Sequence, residues 1–104
     1  MKPFIILATI GYLFFFTHSS FAQKTATDYY EEAKSYEQKA KFAKAFKQYQ
    51  LAANMGLIKA QVSLASFYET GLGGEESASK SFEMYQKAAL QGDDFAHYKV
   101  ARSY

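Results

Sequence analysis

The sequence predicts an all-α protein, a helical-hairpin repeat solenoid with about two and a half repeats. The chain matches itself at an offset of 36 residues: residues 44–68 laid over residues 80–104 give ten identities in 25 positions. Helical-repeat proteins show fixed periods of roughly 20 to 50 residues, so this self-similarity indicates a repeat array. Alanines and aromatic residues also recur every three or four positions, which is typical of one face of a helix.

The apolar spacing predicts five helices, near residues 27–39, 42–55, 58–70, 78–91 and 94–103, joined as antiparallel pairs. Alanine alternates with large rings along each helix, which suits helices that approach closely, because a ring fills the space above a methyl group. The predicted core stripes are Tyr29, Ala33 and Tyr36; Phe42, Phe46, Tyr49, Ala52 and Ala53; Ala60, Leu64, Ala65 and Tyr68; and Phe82, Tyr85, Ala88 and Ala89.

Glycines mark the predicted ends of the helices. Gly56 and Gly92 occupy equivalent positions, 36 residues apart, where a left-handed residue would end a helix. The segment Gly-Leu-Gly-Gly at residues 71–74 follows a helix and lacks the Gly-Lys-Ser/Thr ending of a phosphate-binding loop. We therefore interpret it as a turn between two helices.

Acidic residues precede or begin three of the predicted helices. Asp28 with Glu31 is expected to cap the first helix. The pairs Glu75–Glu76 and Asp93–Asp94 come just before the fourth and fifth helices, where negative charge is favourable. Capping therefore explains both pairs better than a catalytic dyad or a cation site.

Residues 1–22 have the features of a secretory signal peptide: Lys2, an apolar run at residues 4–16, and a Ser-Phe-Ala exit before Gln23. This run is shorter than the roughly 20 apolar residues that span a bilayer. We expect cleavage after Ala22 and export of residues 23–104 as one domain, to the periplasm or as a secreted protein. The alternative is an uncleaved segment that anchors an envelope assembly factor in the inner membrane.

Composition argues against several kinds of chemistry. The chain has no cysteine, which excludes disulfides, a thiol nucleophile and cysteine-based zinc sites. Its 12 Lys plus Arg and 10 Asp plus Glu are interleaved, so no basic patch for nucleic acid is predicted. We predict no cofactor, no metal and no enzymatic activity. A hydrolase using His97 is the weaker alternative, because His97 matches Gln61 of the preceding repeat, a position to which we assign no core role.

One segment, residues 60–96, resembles a known repeat. Its Ala60, Leu64-Ala65, Tyr68, Gly71, Gly73, Lys80-Ser81, Met84-Tyr85, Lys87-Ala88-Ala89 and Gly92 are similar to the pattern of the Sel1-like repeat, a relative of the tetratricopeptide repeat. Ala65 replaces a glycine, Gly74 a valine and Ser81 an alanine. The first copy lacks the extra glycine turn and resembles an ordinary tetratricopeptide repeat. The repeats then cover about residues 27–56, 57–92 and, in part, 93–104.

The resemblance implies a protein-protein interaction module, an adaptor, scaffold or regulator whose stacked helices bind a peptide or protein partner on a concave face. The first helix of each pair would line that face, with positions that the core leaves free. The alternative is that these are ordinary surface residues. The candidate partner-binding residues are Tyr30, Lys34, Glu37, Lys59, Val62, Ser66, Glu69, Phe95, Tyr98 and Arg102.

The last predicted helix corresponds to only the first half of a repeat, because Tyr104 aligns with Tyr68. This helix keeps the core-type residues Ala96, Val100 and Ala101 as well as Tyr104. Either a partner or a second copy of the chain covers that face, or the chain is a shortened form of a longer repeat protein. We therefore expect self-association through residues 94–104.

Overall fold

The structure is a computed structural model that describes residues 23–104, so the predicted signal peptide lies outside the described residues. This range forms five helices, each packed against the next along the chain, and contains no strand. Their bounds agree with the predicted ones to within one residue, and the all-α fold is confirmed. The helices are α1 (Ala26–Gln38), α2 (Phe42–Asn54), α3 (Ile58–Thr70), α4 (Ala78–Leu90) and α5 (Asp94–Ser103).

The start of α1 differs from the sequence expectation. Thr25 is the capping residue: its hydroxyl accepts a hydrogen bond from the Asp28 amide at 3.1 Å, and the Asp28 carboxylate accepts one from the Thr25 amide at 2.8 Å. Glu31 takes no part in this capping box. The prediction of an Asp28–Glu31 pair was wrong because Thr25 occupies the capping position and Asp28 is the third residue of the helix. The hydrogen bond from the Thr25 amide is the main cause that lowers the pKa of Asp28.

The two acidic pairs behave differently from each other. Asp93 caps α5 and accepts a hydrogen bond from the Ala96 amide at 2.8 Å, as predicted. At α4, however, the hydroxyl of Ser77 accepts the hydrogen bond from the Lys80 amide. Glu75 instead pairs with the Lys80 ammonium at 2.8 Å. The prediction that Glu75–Glu76 caps α4 was therefore wrong, since a hydroxyl nearer the helix fills that position.

Close packing of alanine against aromatic rings forms the core. Tyr49 is almost fully buried, and its ring meets that of Phe67 edge to face with centroids 5.2 Å apart. Phe46 contacts Tyr68 in the same way at 5.3 Å, although Phe46 is only half-buried, as are Phe42 and Phe82. The fully buried alanines, which let these helices approach one another, are Ala33, Ala45, Ala52, Ala60, Ala65, Ala88 and Ala96.

A buried glutamine links the two complete hairpins. Gln61 donates a weak hydrogen bond to the Ala53 carbonyl at 3.4 Å and accepts one from the Gln91 side chain at 2.7 Å. The expectation that this position has no core role was wrong. Gln61 is covered from both sides, by the ends of α2 and α4, and a buried amide must find hydrogen-bond partners there.

The turn between α3 and α4 packs against the start of α2. Gly73 has φ +75°, and a Cβ added there would lie 2.2 Å from the Phe42 carbonyl oxygen. Both the left-handed backbone and the close approach therefore require glycine. The helix-ending glycines Gly56 (φ +92°) and Gly92 (φ +97°) are also left-handed, as predicted.

We expect Gly73→Ala to lower the free energy of unfolding by about 2 kcal/mol or more, because a strained backbone and an overpacked contact add together. Gly74→Ala is the matched control: its added Cβ would meet the Phe46 ring at 3.4 Å, which is ordinary contact. This control should cost less than about 1 kcal/mol. Urea denaturation followed by circular dichroism measures both. Equal losses for the two variants would contradict the account of the turn.

Candidate functional site

A groove of about 320 Å³ lies along the first helices of the successive hairpins. It begins at the carboxyl end of α1, crosses α3 and reaches α5. Tyr85 of α4 also lines it. We call it the first-helix groove, and its lining residues are Glu37, Val62, Ser63, Ser66, Phe67, Glu69, Tyr85, Phe95 and Lys99.

The centre of the first-helix groove is aromatic. Phe67 and Tyr85 are buried beneath it, whereas Phe95 remains 52% exposed. The Phe95 ring meets the Tyr85 ring at 71° with centroids 6.1 Å apart, an edge-to-face arrangement that holds Phe95 at the groove wall. Half-buried Val62 adds aliphatic surface. The groove therefore offers an apolar surface with one exposed aromatic edge.

Glu37 supplies a carboxylate at the α1 end of the groove. It accepts a hydrogen bond from the buried Tyr49 hydroxyl at 2.5 Å. Burial is the main cause that raises the pKa of Tyr49, and the hydrogen bond to Glu37 raises it further. Tyr49 therefore stays protonated at neutral pH and acts as a fixed donor that orients the Glu37 carboxylate.

Glu69 and Lys99 form an ion pair at the other end of the groove. The Lys99 ammonium lies 2.9 Å from one Glu69 carboxylate oxygen and 5.3 Å from the centre of the Tyr85 ring. The ammonium thus combines an ion pair with a cation–π contact. Burial, with a contribution from the Glu69 charge, raises the pKa of Tyr85 to about 12.

Half of the candidate partner-binding residues lie together in this groove: Glu37, Val62, Ser66, Glu69 and Phe95. The other five do not line it. The Tyr30 ring packs on the Tyr49 ring with centroids 5.8 Å apart, and the Lys34 ammonium lies over the Tyr30 ring. Lys59 is exposed. On α5, Arg102 covers the Tyr98 ring and donates a hydrogen bond to its hydroxyl at 3.0 Å.

The sequence did not predict four of the residues that line the groove: Ser63, Phe67, Tyr85 and Lys99. Tyr85 had been assigned only to the core. Phe67 lies three residues after Leu64, which is a helical spacing that could have revealed it. Ser63 and Lys99 are equivalent positions, 36 residues apart, but they are different residues, so the self-comparison does not count them as an identity.

A second cavity of about 370 Å³ lies between the α3–α4 turn, α4 and α5. It shares Glu69, Tyr85 and Lys99 with the first-helix groove and adds Glu76 and Arg102. The Glu69–Lys99 ion pair therefore separates two hollows. Since Lys99 is occupied by Glu69, the second cavity has Arg102 as its remaining cation among the lining residues.

His97 is exposed on α5 and lines neither of these cavities. The hydrolase alternative required the imidazole to meet carboxylates in a pocket, and the observed position does not provide that geometry. Within residues 23–104, no group of three or more His, Asp or Glu side chains could hold a metal ion. In the same range no helix has the length and apolar character needed to cross a bilayer.

The outer face of α5 differs from that of α3. Ala65 and Tyr68 of α3 are buried, whereas their counterparts Ala101 and Tyr104 are exposed, Tyr104 to 90%. Tyr104 contacts the half-buried Phe82 only edge to face, at 5.9 Å. The described part of the chain places no helix against this face, so core-type residues remain accessible there.

We expect Tyr85→Phe to weaken the pH dependence of stability in alkali. The folded-state pKa of Tyr85, about 12, lies above its ordinary value near 10. The folded state therefore favours the neutral hydroxyl, a contribution that is complete below about pH 10 and is lost as the pH rises towards 12. Urea denaturation between pH 9 and 12 should show a shallower fall in unfolding free energy for the variant. Identical slopes would contradict this assignment.

Comparison with known proteins agrees with this architecture. Neither the known protein-family profiles nor the curated proteins contain a match to the chain. Among solved structures, the chain is similar to a Sel1 repeat protein from Oxalobacter formigenes, with 28% sequence identity and a TM-score of 0.68. The match covers 76% of this chain and 62% of that one, so the chain spans less than two thirds of the relative's length. The described residues therefore have a Sel1-like repeat fold, as the sequence motifs predict.

Proposed function

We propose that the chain is a non-enzymatic interaction module that binds an extended peptide segment of a partner protein in the first-helix groove. The observation that carries this proposal is the half-exposed Phe95, which stands against buried Tyr85 beside an open hollow. Exposed aromatic side chains next to a pocket are the usual anchors of protein interfaces. The Sel1-like repeat fold supports the same role.

The size of the groove favours a peptide over a globular surface. Its volume of about 320 Å³ lies at the lower end of the range for ligand pockets, roughly 300 to 1,000 Å³. Such a hollow accepts one or two side chains of an extended segment. The apolar centre would receive an apolar side chain, while Ser63 and Ser66 at the rim can exchange hydrogen bonds with a peptide backbone.

The test is selection of a displayed peptide library on residues 23–104, followed by fluorescence anisotropy with the selected peptides. We expect Phe95→Ala to weaken binding about tenfold or more, because it removes the exposed aromatic anchor. Leu90→Ala is the matched control, since Leu90 is 82% exposed but lies outside the groove. This control should bind like the wild type. Equal affinity of Phe95→Ala and the wild type would overturn the proposal.

We also propose that the domain works outside the cytoplasm after cleavage of residues 1–22. The support is the basic start, the short apolar run and the Ser-Phe-Ala exit of that segment. Amino-terminal sequencing of the protein purified from its native envelope should read Gln23 first. A sequence starting at Met1 would instead support the inner-membrane anchor.

Self-association through residues 94–104 is a separate proposal for the accessible face of α5. The exposed Ala101 and Tyr104 are the counterparts of Ala65 and Tyr68, which are buried, so a second copy could supply an apolar contact for them. Light scattering coupled to size-exclusion chromatography should detect a dimer that Tyr104→Glu disrupts. A monomer at high concentration would contradict this proposal.

A further inference from the structure

The two hairpins carry the same pair of side chains at the first-helix groove, a glutamate that lines it and a tyrosine near that glutamate. Tyr49 and Tyr85 are equivalent residues, 36 positions apart. Glu37 precedes Tyr49 by 12 positions and Glu69 precedes Tyr85 by 16. The difference of four is the difference in loop length, since three residues (39–41) join α1 to α2 and seven (71–77) join α3 to α4. Glu37 and Glu69 therefore occupy corresponding positions on α1 and α3.

In each copy, a third residue from the next repeat lies near the glutamate and the tyrosine. The two copies differ at this third residue. Position 63 carries a serine and position 99, which is its equivalent, carries a lysine. Ser63 lies near the Tyr49 hydroxyl and carries no charge. Lys99, by contrast, places its ammonium between the Glu69 carboxylate and the Tyr85 ring. The chain thus fills the second copy of the site with its own cation.

The first copy has the same carboxylate without that cation. Among residues 23–104, no ammonium or guanidinium group pairs with Glu37. The nearby Lys34 lies over the Tyr30 ring. One hydrogen bond from Tyr49 leaves most of the acceptor capacity of the Glu37 carboxylate unused. Glu37 is half-buried and faces the groove, so it is available to a ligand cation.

We propose that the first copy binds a lysine side chain of the partner peptide. Its ammonium pairs with Glu37 much as Lys99 pairs with Glu69, and an apolar neighbour in the peptide contacts Phe95. The pair of Lys99 with Glu69 is thus an example, within the protein, of the ionic contact that we propose between the peptide lysine and Glu37. This inference rests on the proposed function, because it names the kind of peptide that the first-helix groove accepts.

The fixed donor and the fixed carboxylate give the site its selectivity for a cation. The Tyr49 hydroxyl already donates to Glu37, which holds the carboxylate oriented towards the groove at little further entropic cost. An acidic peptide side chain would be repelled by Glu37, and a neutral one would leave the partly desolvated carboxylate without compensation. A lysine next to an apolar residue meets both requirements of the groove.

The experiment uses the peptide library on two variants in parallel. Peptides selected on the wild type should be enriched in lysine beside an apolar residue, and Glu37→Gln should lose the lysine enrichment. Glutamine retains an oxygen that accepts the Tyr49 hydrogen bond, so the variant keeps the local structure, which urea denaturation checks. Glu83→Gln is the matched control, because Glu83 is exposed on α4 and, among the described residues, pairs with Lys87 alone, at 3.6 Å.

A double-mutant cycle then measures the contact itself. One selected peptide is synthesised with lysine and with norleucine, which keeps the aliphatic stem and removes the charge. The wild type should bind the lysine peptide about tenfold more tightly, and Glu37→Gln should bind the two equally. If the preference is absent from the wild type, or is the same in Glu37→Gln, the inference is overturned. If Phe95→Ala still weakens peptide binding in that case, the proposed function stands. If Phe95→Ala leaves binding unchanged, the inference and the proposed function are both overturned.

Removal of the internal cation provides an independent test. Lys99→Met keeps an apolar stem but frees Glu69 and the Tyr85 ring, so the second copy becomes available to a ligand. Libraries selected on this variant should contain a second enriched lysine, at a constant spacing from the first. Selections that match those of the wild type would contradict the equivalence of the two copies.

Discussion

Close contact between alanine methyl groups and aromatic rings is the constraint on which this structure depends. The fully buried Ala45 and Ala52 on α2, with Ala60 on α3, leave no bulk between neighbouring helices. Large rings such as Tyr49 and Phe67 then interlock edge to face across the same interfaces. Without cysteine, this packing has to supply the cohesion that disulfides provide in some other small domains. A larger residue at any of these alanines would separate the helices and the rings together.

The candidate site is a by-product of the same packing. The rings that fill the core do not stop at its boundary, since Tyr85 extends from the buried interior to the floor of the groove, where it supports Phe95. The hydroxyl of Tyr49 likewise leaves the core to reach Glu37. Core residues therefore fix the positions of the groove residues that they contact. Equivalent positions of the two copies carry Ser63 and Lys99, so one residue changes the charge at this place in the groove.

The sequence predicted the features that depend on neighbours along the chain. Helix bounds followed from apolar spacing, and Gly56, Gly92 and Asp93 were correctly assigned to helix ends because each acts within a few residues of its own position. The prediction of the capping residue was wrong where two nearby residues could both accept the hydrogen bond. Thr25 and Ser77 cap α1 and α4 in place of their acidic neighbours, because the cap is the residue immediately before the first residue of the helix.

The groove was only partly predictable for a different reason. Glu37 and Phe95 could be placed on the correct side of their helices by periodicity, but Tyr30 and Arg102 satisfied the same periodicity and lie elsewhere. Gln61 was misjudged because its burial depends on the ends of two other helices. The sequence by itself determined the repeat, the helices and their apolar faces, since these reflect local spacing. Only the tertiary structure decided which side chains converge on the groove, and which carboxylate is already paired, because residues from four helices meet there at distances that periodicity does not encode.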